Sequence, residues 1–256
     1  MKGEHDIFNR VMPRDDIAVV AFLENRATGS RFIVGNVHVF WNPAFTDVKL
    51  VQVAILLEGI KSFANRWAKF PACKDKVVYR FTNGDTEDGK EPDPTQEPGP
   101  SKEYSDGTQI PLILCGDFNS LPTSGIYDLI TTGSMSNVHD DLGSRKYGNF
   151  TRDGISHPFS LKSSYSSIGE LSFTNYTPSF VGVLDYIWYS TNTLQVVGLL
   201  GDIDKNYLQR VPGFPNYHFP SDHIALYAQY IVRGQKQAKK VSEVDFGPSS
   251  NRDRRN

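Results

Sequence analysis

The stretch LILCGDFNSLP, residues Leu112 to Pro122, is an apolar run that ends in Gly-Asp-Phe-Asn. An extended run of this kind reads as a buried strand, and its period of two places Asp117 and Asn119 on one side of the chain. A strand-terminal Asp or Asn is more often a turn or cap residue than a functional one. The pair therefore means little until the rest of the chain is read.

That rest is ordinary in bulk. The chain has 256 residues, 39% hydrophobic and 22% charged, with a formal net charge of −2. Such a balance describes a globular protein and excludes one that coats nucleic acid by bulk attraction, so any phosphate binding must be local. There are only two cysteines, Cys73 and Cys115, which gives no disulfide framework and fits a reduced compartment. No apolar run reaches the roughly 18–20 residues that span a bilayer. The opening MKGEHDIFNR has no apolar signal core, so neither secretion nor membrane insertion is expected.

Outward from Leu112, strands are predicted at Ile17–Leu23 and Arg31–Phe40, joined as a hairpin by ENRATGS. The segment from Asp47 to Phe70 has apolar residues at Val48, Val51, Ile55, Ile60 and Phe63. That spacing predicts a long amphipathic helix with Thr46 or Asp47 as its N-cap. Residues Gly84 to Gly107 hold eight acids, four prolines and four glycines, the composition of a disordered insertion. A helix is expected over about Thr123–Thr132, and strands over Val183–Ser190, Thr193–Gly201 and His223–Val232. From Arg233 the chain is a polar, basic tail. Strands mixed with helices around one insertion favour a single α/β domain over residues 1–232.

Four short motifs put polar, metal-competent residues at the ends of apolar strands: GNVH (Asn36, His38), GDFN (Asp117, Asn119), LDY (Asp185) and SDH (Asp222, His223). Each alone is weak, since a lone strand His is more often a hydrogen-bonded core residue. Gathered at one end of a sheet, they would make a cation-binding cluster suited to phosphodiester hydrolysis. Carboxylate and amide oxygens suit Mg²⁺, and an Asp against a His fixes its tautomer and supports its charged form. Without clustered cysteines or histidines a zinc site is not expected.

The order N-x-H, GDFNS, DY, SDH resembles the catalytic series of the endonuclease/exonuclease/phosphatase superfamily. Within it, FNRVMPRDDIAVVAFLEN, HVFWNPAFTDVKLVQ, IPLILCGDFNSLPTSGIYDLI and LDYIWYS are similar to the catalytic subunit of the catabolite-repressor/NOT deadenylase complex, in its fungal form. The resemblance runs from about Phe8 to Tyr230. It implies the C-terminal portion of a four-layer α/β sandwich, two packed mixed sheets flanked by helices. It also implies an Mg²⁺-dependent 3′–5′ exoribonuclease that shortens poly(A) and releases 5′-AMP, working with NOT-complex subunits in the cytoplasm and nucleus and not at a membrane. Carried onto matching positions, Asp117, Asn119, Asp185, His223 and His38 would be catalytic. Asp117, Asn119, Asp222 and His223 would hold metal, and Asn36, Asn119, Pro43 and Phe180 would bind substrate, with Pro43 and Phe180 enclosing the adenine.

The usual H-x-H-W-D-P run has Phe40 and Asn42 in place of its second His and its Asp. Family members also carry an Asn and a metal-ligand Glu on strands ahead of FNRVMP. Glu4 and Glu24 do not stand in that context, and the leucine-rich tether to the complex is absent. The chain thus matches the later part of a catalytic domain. Two alternatives remain: another phosphodiesterase of the superfamily, acting on DNA, inositol phosphate or lipid, and a non-catalytic remnant that binds RNA or the complex.

Overall fold

The computed structural model describes residues 6–72, 74 and 100–234. After a one-turn helix α1 (Ile7–Arg10) come β1 (Ala18–Glu24), β2 (Arg31–His38), α2 (Thr46–Ala68) and β3 (Leu112–Asp117). Next are α3 (Gly125–Thr132), the two-residue strands β4 (Ser134–Met135) and β5 (Ile155–Ser156), and β6 (Leu161–Ser163). A short hairpin of β7 (Asn175–Tyr176) and β8 (Val181–Gly182) follows, then β9 (Asp185–Ser190), β10 (Leu194–Leu199) and β11 (Ala228–Val232).

Five strands form one mixed sheet in the order β1-β2-β3-β9-β6. β2 and β3 are parallel and joined through α2, whereas the other neighbours are antiparallel. A parallel pair needs a long crossover, and the 23-residue α2 supplies it. One sheet face, with Ile33, Leu112, Leu114 and Trp188 all 0% exposed, shares a single core with α2 and α3. On the opposite face β11 lies over part of the sheet: the Tyr230 and Tyr189 rings are 5.5 Å apart. At the β1 edge of that face Val19 and Leu23 stay exposed. The described residues thus build helices on one side of a mixed sheet and a β10–β11 ribbon on the other, an α/β sandwich as the sequence predicts.

Several local expectations need correction. The N-cap of α2 is Phe45, which makes no side-chain cap bond, and Thr46 is already helical. Asp47 is spent elsewhere, on Arg10, Arg145 and Tyr147. Val48, Val51 and Ile60 are buried as the period predicts, but Ile55 and Phe63 are exposed, because the buried stripe that continues along the helix runs through Leu50, Val53, Leu57, Ile60 and Ala64. The run His223–Val232 is strand only from Ala228, since His223 leaves the ladder to bridge Asn175. Of the acidic insertion, residues 84–99 lie outside the described residues. Its end is ordered, because Tyr104 is buried and its hydroxyl accepts a bond from the Arg31 N–H at 2.7 Å. The tail beyond 234 also lies outside the described residues.

Gly116, just before Asp117, has φ +139°, and a Cβ there would lie 1.8 Å from the Val37 carbonyl oxygen. No side chain fits between these two strands. Gly116→Ala is therefore expected to destabilise the protein by about 3 kcal/mol or more, combining backbone strain with a clash against fixed backbone. Urea unfolding followed by tryptophan fluorescence measures it, and an unchanged midpoint would contradict the close approach of β2 and β3.

Candidate active site

The strand pairing sets the site. β3 lies in the middle of the sheet, with His38 of β2 opposite Asp117 on one side and Asp185 of β9 opposite it on the other. His38, Asp117 and Asp185 therefore share one row and one face at the end where β2 and β3 finish and β9 begins. The segment that leaves β2 carries Pro43, and Phe180 lies in the β7–β8 turn that precedes β9.

His223 arrives from a different element and closes the row. Its Nδ1 is 2.7 Å from Asp185 Oδ2, and its Nε2 is 4.0 Å from Asp117 Oδ2. His38 Nε2 lies 3.6 Å from the same Asp117 oxygen. Asp117, Asp185 and His223 each offer a ligand atom, and these atoms all fall within 4.8 Å of one another. The supports are backbone bonds. Thr174 Oγ1 accepts from the N–H groups of Leu184 and Asp185, and the Thr174 carbonyl accepts from Ile224 N. One threonine thus fixes both the start of β9 and the residue after His223.

Asn119 follows Asp117 in a left-handed conformation, φ +47°, which Asn tolerates better than most residues. That turn lets its N–H donate to Asp117 Oδ1 at 2.7 Å, while its side-chain amide donates to the Val39 carbonyl at 2.8 Å. With the NH₂ group committed to Val39, the amide oxygen is left as the acceptor of Asn119.

The electrostatics reflect two carboxylates held close together. Burial, and then the charge of Asp185, raise the Asp117 carboxyl above its ordinary value, against the pull of the Asn119 N–H and the two imidazoles. At His223 burial opposes the charged form. Its bond to Asp185, with the charges of Asp185, Asp117 and Asp222, outweighs burial and raises its pKa. The arrangement is an oxygen-rich, net-negative nest with one oriented imidazole. A hard divalent cation fits this donor set, because it would relieve the carboxylate repulsion that lifts Asp117.

A model of the endonuclease/exonuclease/phosphatase family matches residues 21–223. The chain belongs to that family. Its curated relatives include the CCR4-Not complex 3′-5′-exoribonuclease subunit Ccr4 of Phaeosphaeria nodorum, 84% identical over 255 residues, which covers 100% of this chain and 42% of that protein. The subunit of the same name from Aspergillus oryzae is 59% identical over 250 residues, 98% of this chain and 33% of that protein. The chain therefore spans well under half of the curated relatives it matches. Among solved structures, ANGEL2, a 2′,3′-cyclic phosphatase, in complex with adenosine-2′,3′-vanadate, superposes with a TM-score of 0.59 at 24% identity, over 86% of this chain and 62% of that one. The human Nocturnin catalytic domain with bound sulfate gives 0.50 at 20% identity, over 86% and 54%. These two likenesses establish the fold of the endonuclease/exonuclease/phosphatase family.

Within this family member the sequence-predicted residues divide. Asp117, Asp185 and His223 come together, with His38 and Asn119 in contact with Asp117. Asp222 stands outside the tight group, and its Oδ2 accepts from Asn175 Nδ2 at 3.1 Å. Asn36 is exposed on the same face one row away, paired with Cys115 and Val19. Glu24 lies at the far end of β1 against Arg31, 2.9 Å apart, and Glu4 falls outside the described residues. The sequence reading missed Thr174 and Asn175, whose FTNY context offers no distinctive spacing. It also missed Lys49, which could have been found, because it falls on the apolar stripe of α2.

His223 is expected to titrate above the ordinary histidine value of about 6.5, and Asp185→Asn is expected to bring its midpoint down. Since the folded pKa is the higher one, the pair's contribution to stability is full below about pH 6.5 and is lost as pH rises through the folded midpoint. Imidazole NMR in both forms checks this. Equal midpoints would show that Asp185 does not hold the ring.

Proposed function

We propose that this chain carries the catalytic centre of an Mg²⁺-dependent 3′–5′ exoribonuclease that shortens poly(A) and releases 5′-AMP, as part of a larger subunit of the CCR4-Not complex. The observation that supports this best is the row His38–Asp117–Asp185 closed by His223, in a chain 84% identical to a protein named as that exoribonuclease subunit. The partners of the reading are poly(A) RNA and the NOT subunits, and its setting is the cytoplasm, with the nucleus as a second compartment.

Asp117, Asp185 and the amide oxygen of Asn119 are the groups that would hold the cation, which when bound would supply charge stabilisation at the phosphoryl oxygens. Asp222, held by Asn175, and His223, used as the charged imidazole, are not among them. The chain's own groups do the rest. Asp117, at the centre of the row between His38 and Asp185, is placed to take the proton of the attacking water. His223, with Nδ1 fixed on Asp185, turns Nε2 toward Asp117 and the scissile phosphate, and its raised pKa favours the charged form that a phosphoryl oxygen attracts. His38 and Asn36 line the adjoining strand on the phosphate side. Pro43 and Phe180, on the segments after β2 and before β9, would enclose the terminal adenine. Phe180 is 39% exposed in the β7–β8 turn, where its N–H donates to Thr177 Oγ1 at 3.0 Å.

The full chain with Mg²⁺ and 5′-labelled oligo(A) is expected to give a ladder shortened from the 3′ end. Asp117→Ala should slow it by roughly 10²–10⁴-fold, the usual worth of a positioned acid–base group. A wild-type chain inert at saturating Mg²⁺ would contradict the claim that these residues form a working centre. Separately, Phe180→Ala is expected to cost about 1–3 kcal/mol of stacking on the terminal base, and Phe180→Ala and Pro43→Ala are each expected to narrow the preference for A over U or C, read as kcat/KM ratios on matched oligonucleotides. An unaltered preference would remove both residues from the base site.

A further inference from the structure

We infer that Lys49 is a positioning residue of this site: its buried ammonium holds the left-handed turn at Asn119, and through that turn sets Asp117 and the Asn119 amide oxygen. The inference rests on the metal-dependent reading above.

Lys49 opens a stripe on α2 that continues through Val53, Leu57, Ile60 and Ala64, each no more than 2% exposed. Lys49 itself is only 4% exposed. A lysine here is costly, because an ammonium taken out of water needs compensation that an apolar side chain would not. Burial accordingly lowers its pKa, while the charges of Asp117 and Asp141 counter that effect. The stem does not reach for solvent. Instead Nζ donates to the backbone carbonyl of Asn119 at 2.5 Å, across seventy residues of sequence.

That carbonyl is the remaining backbone handle on the turn. The Asn119 N–H is bound to Asp117 and its side-chain NH₂ to Val39. Asn119 is therefore held from three sides, by the end of β3, the segment after β2, and α2. The φ of +47° is a sparsely populated conformation that persists where surroundings over-determine it. Without the ammonium, the peptide after Asn119 loses this link to α2. The residue can then relax toward ordinary backbone, which turns the amide oxygen away and frees the Asp117 carboxylate.

Charge and position predict opposite outcomes, which makes the inference testable. Removing a positive charge beside two carboxylates would, by charge alone, tighten a cation. Losing the turn would loosen it, by the roughly 10–100-fold typical of supports behind metal ligands. The experiment compares the full wild-type chain with Lys49→Met, Lys49→Arg and Leu57→Ala, the last a core truncation on the same stripe. Mn²⁺ affinity is read by calorimetry, and the Asn119 and Asp117 amide signals by NMR without metal. Lys49→Met is expected to shift both amides and to weaken Mn²⁺ by roughly 10–100-fold. Lys49→Arg should recover part of each effect, and Leu57→Ala should leave both near wild type. Mn²⁺ binding as tight as wild type or tighter in Lys49→Met would overturn the inference. So would an equal loss in Leu57→Ala. If wild type takes up no Mn²⁺, the metal-dependent function fails, and the amide signals alone then decide the role of Lys49: unmoved in Lys49→Met they overturn it, shifted they uphold it.

Discussion

The pairing register of β3 is the constraint on which the site depends. Side chains alternate along a strand, so a slip of one residue sends a whole set to the opposite face. Here β3 is paired on both sides, parallel to β2 and antiparallel to β9. The pairing is enforced by apolar residues that must face the helices: Ile33 in β2, Leu112 and Leu114 in β3, and Trp188 in β9. Each of these lies an odd number of places from the polar residue of its own strand. The same burial that fills the core therefore turns His38, Asp117 and Asp185 to the other side, in line. Core and site are two readings of one alternation.

A second constraint fixes the helix that backs the site. Asp47, 4% exposed, accepts two bonds from Arg10 at 2.6 and 2.9 Å, one from Arg145 at 2.7 Å, and one from the Tyr147 hydroxyl. Burial alone would push this carboxyl up, yet the bonds from Arg10 and Tyr147 hold it below its ordinary range. One side chain thus ties the segment before β1, the first turn of α2 and the loop at residue 145. Partnered in this way, a buried charge specifies geometry more than it adds stability. It fixes the first turn of α2 two residues before Lys49, so the helix meets the site at a defined rotation.

Much of this was legible in the sequence for a physical reason. Strands that must bury one face advertise it by period, so β1, β2, β3 and β9 and their polar ends could be placed, and the ordered motifs named the site residues. What the sequence hid was set by distant partners. Asp47 looks like a helix cap until Arg10, Arg145 and Tyr147 are folded around it. Tyr104 looks like part of an acidic, proline-rich insertion until the Arg31 N–H is beside it. His223 looks like the first residue of a strand, but Ile224 N–H donating to the Thr174 carbonyl and Asn175 donating to Asp222 hold its two neighbours out of the ladder. Lys49 sits between these cases. A charge on an apolar helical stripe is visible, but its purpose emerges only with the carbonyl it reaches.

The turn that carries Phe180 has one more consequence. A Cβ on Gly182 would lie 2.7 Å from the Phe180 ring, so the ring rests on bare backbone there while it stays 39% exposed. A ring backed in this way has less rotamer entropy to lose than a free one when something settles on its outer face. As the base platform proposed above, it would grade planar ligands by overlap area, favouring purines over pyrimidines while treating adenine and guanine nearly alike. Discrimination between the two purines then has to come from hydrogen-bonding groups around the base edge, and those are not supplied by the ring.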